Sequence, residues 1–307
     1  MTMSYRLSVI ITAHNCARWL EETLESVTAS LADARSRCEI IIINDASTDS
    51  SQAIIERFAA HHADVRHQQT QLRNIGHVRN HAVSLAQGDY ILMLDGDDRL
   101  LPHAVADHLR ILDEQAPDIY LSKIIEQRCD DAGKLPDWHF RAPVCLTVDD
   151  AITRFLIHRD FQAHFIGQYF RRSLLLEHPF PPFICYEDAW LFPLLLTRSN
   201  KILFSEAGFY LYRKHATSLS TTMTPEKISC LLMATAHMDE VLPVHFKPLI
   251  TCHWIDVINR HAAVLKQQGA WLKVKERVHQ QRLSSFLLSG KIRMSYKRKM
   301  LKVRRLS

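Results

Sequence analysis

Three short apolar runs, each followed directly by polar or acidic residues, constrain the fold of this chain most strongly. They are LSVIITA at residues 7 to 13, EIIIIN at 39 to 44 and YILML at 90 to 94. Continuous apolar runs of this length are typical of strands in a parallel sheet that helices cover on both faces. Between the first two runs, Leu20, Leu24, Val27 and Leu31 recur at helical spacing. The alternation predicts an α/β fold with a Rossmann-like, doubly wound and mostly parallel sheet.

The residues that follow the strands are the first candidates for a functional site, because such sheets bind ligands beyond the carboxyl ends of their strands. These candidates are His14 and Asn15, then Asp45, then Asp95, Asp97 and Asp98. Only Gly96 separates the last three acids, and neighbouring carboxylates repel one another unless a cation lies among them. Mg²⁺ and Mn²⁺ prefer oxygen ligands and commonly recruit substrate phosphates. The sequence therefore predicts metal-assisted handling of a diphosphate.

The last third of the chain has a different pattern, mainly helical from Pro225 to about Leu288. We predict a sheet-based domain at residues 1–222, a C-terminal helical extension at 223–289 and a basic tail at 290–307. The net charge of +5 belongs to that tail, where residues 291 to 305 contain eight bases and no acid. Without those eight, 33 acids outnumber the remaining 30 bases, so the body of the protein is mildly acidic.

Cysteine usage and hydropathy predict the compartment. The seven cysteines form no CxxC pair, which favours reduced thiols in a cytoplasmic protein. We find no signal-peptide pattern, and no apolar run approaches the about 18 to 20 residues that span a bilayer. Apolar residues interleave the bases of the tail, which favours peripheral adsorption to anionic lipid on the inner face of the cytoplasmic membrane. A solvated, disordered terminus is the alternative, and no nucleic-acid partner is expected because no recognised module is present.

Four motifs in order carry a resemblance to a known family. They read LSVIITAHN, EIIIINDASTDSS, RNIGHVRNHAVSLAQGDYILMLDGDD and YEDAWLFPLL. The set resembles the large inverting family of GT-A glycosyltransferases known as family 2, over roughly residues 6 to 220. The resemblance implies a GT-A fold and transfer of a sugar from a UDP-sugar to a hydroxyl of a growing surface glycan, such as lipopolysaccharide or capsule. It also implies inverting displacement assisted by Mn²⁺ or Mg²⁺, with a glycan or lipid-linked glycan as acceptor.

The resemblance further implies roles for individual residues of the donor site. Asp45 matches the acid that pairs with the uracil ring, and Asn15 lines the same nucleoside pocket. Arg79 falls where family members place an arginine near the nucleotide, and Asp95 resembles the acid near the ribose and the metal shell. Asp97 resembles the metal-binding second acid of the DxD motif. His215, after a predicted strand, is a candidate metal or phosphate contact.

On the acceptor side, Asp188 of YEDAW resembles the catalytic base, with Glu187 beside it. A helix that begins near Glu187 would hold Asp188 rigidly, and the helix dipole would keep it ionised. The remaining candidates for substrate contacts are Asp98, Trp190, Arg213 and Lys214, with Trp190 as an apolar platform for a sugar ring.

The sequence departs from the family pattern in its first two motifs. Thr12, Ala13 and His14 stand where Pro and Tyr are usual, so stacking on the uracil must come from His14 or from elsewhere. Ala46 replaces the usual glycine of the second motif. Each acid also has a simpler interpretation: a solvated turn for DGDD, a helix cap for Asp45, and an ordinary acidic first turn for the ED pair.

Two other classes of protein remain as alternatives. A catalytically silent sugar-nucleotide-binding scaffold of a glycan assembly complex would bind UDP-sugar without turnover. A nucleotidyltransferase shares the sheet and the metal carboxylates but normally has a glycine- and lysine-rich loop after its first strand, and ITAHNCARWL contains neither residue. An NAD-dependent oxidoreductase is disfavoured because no GxGxxG follows the first strand.

Overall fold

A computed structural model describes residues 5–128, 135–214 and 223–305. Its strands are β1 (Leu7–Ala13), β2 (Cys38–Asp45), β3 (Val65–Thr70), β4 (Tyr90–Asp95), β5 (Arg99–Leu100), β6 (Ile119–Arg128), β7 (Val144–Leu146), β8 (Tyr169–Arg171) and β9 (Ile202–Lys214). The helices of the first two thirds are α1 (Ala17–Leu31), α2 (Ser51–Ala60), α3 (Ile75–Leu85), α4 (Ala104–Gln115), α5 (Val148–Leu156), α6 (Arg172–Glu177) and α7 (Glu187–Arg198). The three apolar runs that predict strands form β1, β2 and β4.

Among the described residues, the nine strands form one sheet in which β3, β2, β1 and β4 lie side by side and are all parallel. Beyond β4 the sheet is mixed, continuing through β8, β6, β9 and β5, with β7 paired to β9. The chain reverses its direction of strand addition between β1 and β4. This is the topological switch point at which sheets of the Rossmann-like type bind ligands.

The parallel strands are buried on both faces, which explains why their sequences are continuously apolar. Val9 and Ile11 of β1 pack with helices α1, α2 and α4 on one face. Ile10 packs into the core of the opposite face, which contains residues of α3 and α7. Successive side chains of a strand point to opposite faces, so one short strand contributes to both cores.

The C-terminal third is helical, as predicted, and extends the core of that second face. Its helices are α8 (Pro225–Val241), α9 (Lys247–Gln267), α10 (Trp271–His279), α11 (Leu283–Leu288) and α12 (Met294–Arg305). Helix α8 packs against α7, α9 packs against α8, and α12 packs against α9 and α10. The segment that composition marks as a basic tail thus contains a folded helix, whose Met300 and Val303 are completely buried. In the sequence, the eight bases of this segment make the helical spacing of its few apolar residues hard to recognise.

None of the described helices is long and apolar enough to cross a membrane.

We predict that Met300→Ala destabilises the protein by about 2 to 5 kcal/mol, because it removes a buried side chain and leaves a cavity between α12 and α9. Leu301→Ala, on the exposed side of the same helix, is the matched control and should change the free energy of unfolding by about 0.5 kcal/mol or less. Urea denaturation measures both. Equal values for the two variants would show that α12 does not pack as described.

Candidate active site

The acids of the DGDD motif follow β4 at the switch point. Thr12 of β1 lies opposite Asp95 in the sheet, and its hydroxyl donates a hydrogen bond of 3.0 Å to the Asp95 carboxylate. The Gly96 N–H donates to the Thr12 carbonyl at 2.9 Å. A Cβ on Gly96 would lie 2.7 Å from the Cys16 Sγ and 3.2 Å from the Thr12 carbonyl oxygen, so glycine allows this close approach to the end of β1 and the start of α1. These contacts fix the position of Asp95 and of the residues that follow it at the end of β4.

Asp98 has a structural role within the motif. It is buried and accepts hydrogen bonds from the Tyr210 hydroxyl at 2.5 Å and from the Arg213 N–H at 2.7 Å. Burial, together with the charges of Asp95 and Asp97, raises the pKa of Asp98 to about 8. Asp98 therefore ties the turn after β4 to β9, while Asp95 and Asp97 are the partly exposed acids of the motif.

Asp45, at the end of β2, organises the loop that follows β3. Its carboxylate accepts hydrogen bonds from the Thr70 hydroxyl at 2.9 Å, the Leu72 N–H at 2.6 Å and the Arg73 N–H at 2.8 Å. It is not a helix cap. An ionised carboxylate has about four acceptor positions, so roughly one remains for a ligand.

His14 and Asn15 line the same edge of the sheet and are both exposed. The His14 Nδ1–H donates to the Asp45 carbonyl at 2.6 Å, while the Asn15 amide donates to His14 Nε2 at 3.2 Å. The side-chain Oδ1 of Asn15 in turn accepts from the Thr48 N–H at 2.8 Å. The hydrogen bonds to both ring nitrogens fix the orientation of the imidazole at the rim of the site.

Arg79 joins motifs that lie far apart in the sequence. It projects from α3 and is buried, and its Nη1 lies 2.7 Å from Glu187 Oε1 at the start of α7. Its Nη2 lies 4.0 Å from Asp95 Oδ1. Although burial opposes its charge, the carboxylates of Glu187, Asp95 and Asp188 raise the pKa of Arg79. One guanidinium therefore faces three carboxylates from two separate motifs, and these predicted site residues lie close together.

Asp188 is partly buried in the first turn of α7, and its carboxylate accepts the Ala189 N–H at 2.7 Å. The helix dipole alone predicts that Asp188 stays ionised. In the structure, burial raises the pKa of Asp188, against the opposing effect of Arg79, and burial likewise raises the pKa of Asp95 and Glu187. Desolvation outweighs the dipole, so the carboxylate of Asp188 has a greater affinity for a proton than an exposed aspartate has.

The weaker candidates have partners within the protein. Trp190 stacks on His237 with ring centroids 3.9 Å apart and an interplanar angle of 4°, so one face of the indole is covered. Arg213 pairs with Glu22 at 2.6 Å and stacks on Trp19. Lys214 pairs with Glu126 at 2.6 Å. His215 lies outside the described residues.

Three residues around these acids are not predicted from the sequence. Thr12 stands out there only as a departure from the family motif, although the register of two parallel strands could have placed it beside Asp95. Tyr210 holds Asp98 and accepts the Asp95 N–H at 3.2 Å from 115 residues away, with no local signal. His164 lies in the loop before β8. This loop lies beside β4, because Ile166 pairs with Met93 and the Gly167 N–H donates to the Met93 carbonyl at 3.0 Å, and burial lowers the pKa of His164.

The donor set fits a hard divalent cation. Asp95, Asp97, Glu187 and Asp188 outnumber the single guanidinium of Arg79, and the excess negative charge favours a bound cation. No group of three or more His, Cys, Asp or Glu among the described residues is arranged as a complete metal cage. Mg²⁺ usually needs only one or two carboxylates, because water and substrate phosphates complete its shell. Asp95 and Asp97 suit that arrangement.

The chain is similar to several known proteins. A family model described as Glycosyl transferase family 2 matches residues 8–177. Chondroitin synthase of Escherichia coli is 35% identical over 116 residues, which cover 38% of this chain and 16% of that protein. Poly(ribitol-phosphate) beta-N-acetylglucosaminyltransferase TarS of Staphylococcus aureus is 22% identical over 88% of this chain and 46% of its own length. The chain thus spans less than half the length of either relative.

Solved structures share the fold. The crystal structure of S. aureus TarS 1-349 in complex with UDP-GlcNAc superposes with a TM-score of 0.69 at 18% identity, covering 97% of this chain and 89% of that one. The mannosyltransferase PcManGT from Pyrobaculum calidifontis, in complex with GDP-Man and Mn²⁺, has a TM-score of 0.59 at 17% identity, with coverages of 99% and 87%. The predicted GT-A fold is therefore confirmed.

We predict that Arg79→Met destabilises the protein by about 3 kcal/mol or more, because it leaves the buried carboxylate of Glu187 without its counter-charge. Arg57→Met is the control, since Arg57 forms an exposed pair with Glu21, and its cost should be about 1 kcal/mol or less. Urea denaturation compares the two. A cost for Arg79→Met no greater than that for Arg57→Met would mean that the buried cluster does not depend on this guanidinium.

Proposed function

Because the chain belongs to glycosyltransferase family 2, we propose that it transfers a sugar from a UDP-sugar to a hydroxyl of a growing surface glycan by inverting displacement. One observation carries this proposal. Arg79, Asp95, Glu187 and Asp188 come from three elements and meet at the switch point of a GT-A sheet, where a nucleotide ligand is expected. A scaffold would not need an acid of raised pKa beside the diphosphate site.

The donor nucleoside is proposed to lie between the carboxyl ends of β1 and β2. Asp45 has about one acceptor position left after its three hydrogen bonds, which suits the N3–H of a uracil ring. The imidazole of His14 is held by its edge and can stack on the base. The UDP-GlcNAc complex of TarS is consistent with a uridine donor.

Asp97, with Asp95 beside it and His215 as a further candidate, would hold Mn²⁺ or Mg²⁺. When bound, such an ion offsets the charge that develops on the leaving diphosphate. The Mn²⁺ complex of PcManGT supports this assignment. The contribution of the protein is to fix the two carboxylates at the end of β4, through Thr12 for Asp95 and through Asp98 for the following turn.

Asp188 is proposed as the general base that removes the proton of the acceptor hydroxyl. Of the two acids at the start of α7, Glu187 is buried and bonded to Arg79, whereas Asp188 is partly exposed. Its raised pKa increases its affinity for the acceptor proton. Glu187 then acts by positioning α7. In inverting enzymes the base acts on the face opposite the leaving group, so Asp188 would approach the sugar from the side opposite the diphosphate that Asp95 and Asp97 would hold.

We predict that Asp188→Asn leaves the affinity for UDP-sugar within a few-fold while transfer falls by roughly 10²-fold or more, the usual order for losing a positioned base. Asp97→Asn should instead reduce the thermal stabilisation that UDP gives in the presence of Mn²⁺. Asp149→Asn is the matched control, since Asp149 is also the second residue of its helix but is exposed. Thermal shift with UDP-sugars and a transfer assay measure the two effects. Equal, mild effects of the first two substitutions would contradict the assigned roles.

The basic C-terminal segment is proposed to bind an anionic membrane surface through the outer face of α12. We define this face as the residues at spacings of three and four that oppose the buried side: Met294, Arg298, Leu301, Lys302 and Arg305. Met294 is 62% and Leu301 39% exposed, and the three bases are also exposed. Apolar side chains among bases suit the boundary between lipid headgroups and acyl chains. A lipid-linked glycan acceptor would be presented at the same surface.

We predict that reversing the three charges of this face weakens binding to vesicles of phosphatidylglycerol by about 10²-fold or more, at roughly 1 kcal/mol per base. The triple variant is Arg298→Glu, Lys302→Glu and Arg305→Glu. The control reverses three exposed arginines of the sheet region: Arg57→Glu, Arg110→Glu and Arg141→Glu. Co-sedimentation measures binding. Charge reversal is preferable to deletion, because deletion also removes buried Met300 and Val303. An equal loss in both triple variants would contradict a specific role for α12.

A further inference from the structure

Residues 180–183 belong to the connection between α6 and α7 and lie directly against helix α3. We call them the proline segment, since they read FPPF. Two asparagines of α3 bind this segment: Asn80 contacts Phe180, and Asn74, the N-cap of the helix, contacts Phe183. The proline segment and α3 therefore run in opposite directions. This contact holds the chain that leads to the proposed base.

The side chain of Asn80 binds the proline segment through both of its polar atoms. Its Nδ2 donates to the Phe180 carbonyl at 2.9 Å, and its Oδ1 accepts from the Phe180 N–H at 2.9 Å. One side-chain amide thus satisfies both backbone polar groups of one residue. The ring of Phe180 is buried, packs edge-on against Phe165 and lies 5.5 Å from the Cζ of Arg79. Asn80 therefore fixes the start of the segment beside the guanidinium that binds Glu187.

Gly76 lets the backbone of α3 approach the proline segment closely. A Cβ at this position would lie 2.5 Å from the Pro181 carbonyl oxygen and 3.4 Å from the Phe180 Cβ. A side chain would therefore push the segment away from the helix. The Pro181 carbonyl also accepts the Phe183 N–H at 2.8 Å, which turns the chain within the segment. The distance between the segment and α3 is fixed by these contacts.

Asn74 joins the end of the proline segment to the proposed nucleoside pocket. Its Oδ1 accepts from the His77 N–H at 3.0 Å and so caps α3, while its Nδ2 donates to the Phe183 carbonyl at 2.9 Å. The two N–H groups immediately before Asn74 in the chain donate to the Asp45 carboxylate. The acid that is proposed to bind uracil and the proline segment are thus held by the same short turn.

The loop that follows the proline segment is anchored at both ends. Phe183 is bonded to the N-cap of α3, and Glu187, four residues later, pairs with Arg79 at 2.7 Å. Between these anchors Tyr186 has a φ of 63°, a strained left-handed conformation for a residue other than glycine. Strained conformations persist where the surrounding structure over-determines them. The first turn of α7, and with it Asp188, is therefore held by contacts on both sides.

We propose that Asn74 and Asn80 are positioning residues for glycosyl transfer, because they hold the proline segment against α3 and so set the position of Asp188 relative to the bound donor. This inference rests on the proposed function and on Asp188 as its base. Neither asparagine needs to touch a substrate in this role. Reacting groups require close alignment, and a displacement of about 1 Å can lower a rate by roughly 10²-fold. Loss of either contact would let the first turn of α7 move while Asp45 stays in place.

The test replaces each asparagine with aspartate, which keeps the acceptor oxygen and removes the donor. Asn74→Asp still caps α3, but its carboxylate repels the Phe183 carbonyl. Asn80→Asp likewise keeps one of its two hydrogen bonds. Asn259→Asp is the matched control, since the Asn259 amide donates to the Ile255 carbonyl at 2.7 Å within α9.

The rate of UDP release at saturating donor measures the effect, with water as the acceptor. Water attacks the anomeric carbon, its proton passes to Asp188, and the bond to UDP breaks. The donor is whichever of UDP-glucose, UDP-galactose and UDP-GlcNAc stabilises the protein most in the presence of Mn²⁺. Asn74→Asp and Asn80→Asp should each lower the rate by about tenfold or more. The KM for the donor and the thermal stabilisation by UDP and Mn²⁺ should stay as in the unaltered protein, and the control should change none of these quantities.

A second measurement needs no turnover. Amide hydrogen exchange over residues 184–190 should be faster by about tenfold or more in both variants, because local opening of the first turn becomes easier. Exchange in α10 should not change, and the control should exchange like the unaltered protein over both segments. Unaltered exchange over residues 184–190 in both variants would overturn the inference.

A double-mutant cycle with Asp188→Asn separates positioning from a general loss of structure. Without the base, adding Asn80→Asp should lower the remaining rate by less than about twofold, because the asparagine acts through Asp188. A further tenfold fall in that background overturns the inference, and so do rates for both asparagine variants equal to that of Asn259→Asp. Absence of stabilisation by any UDP-sugar in the unaltered protein, or an Asp188→Asn variant of undiminished rate, would instead contradict the proposed function.

Discussion

The buried guanidinium of Arg79 is the interaction on which the arrangement of the site depends. It lies between α3, the end of β4 and the start of α7, which are separated by up to 108 residues in the chain. A charge in this position is costly to desolvate, and the nearby carboxylates compensate for that cost. Because Glu187 is bonded to it at 2.7 Å, the orientation of the first turn of α7 follows from the position of α3. The position of the proposed base, Asp188, therefore depends on the ion pair between Arg79 and Glu187, which does not itself react.

Local sequence predicts the framework well, for a physical reason. The runs that form β1, β2 and β4 are buried on both faces, so their pattern is continuous and strong, and helical spacing between them is unambiguous. The common location of the acids that follow these strands is predicted by the parallel arrangement alone, since the carboxyl ends of parallel strands lie at the same edge of the sheet. Asp45, Asp95 and Asp97 can thus be assigned to one edge of the sheet from the amino-acid sequence by itself.

Other features depend on contacts that no local pattern encodes. Asp98 is held by hydrogen bonds from Tyr210 and from the backbone of Arg213, more than 110 residues away. The raised pKa of Asp188 depends on burial, whose effect is opposite to that of the helix dipole. The apolar stripe of α12 contains only two completely buried residues among many bases. From the sequence alone, this segment is therefore interpreted as a basic tail and not as a packed helix. The domain boundaries at residues 222 and 289 stay predictions.

The continuity of the core has a consequence for how substrates enter. Ile10 of the central strand and Val303 of the last helix belong to one packed cluster, with α7 and α8 between them. Such an interior is rigid rather than compressible, and sliding α7 would open voids throughout it. We therefore expect the proposed donor and acceptor to enter through movement of loops outside the packed layers. The packed layers thus form a rigid platform for the proposed substrates, and we expect no hinge closure between two halves of the core.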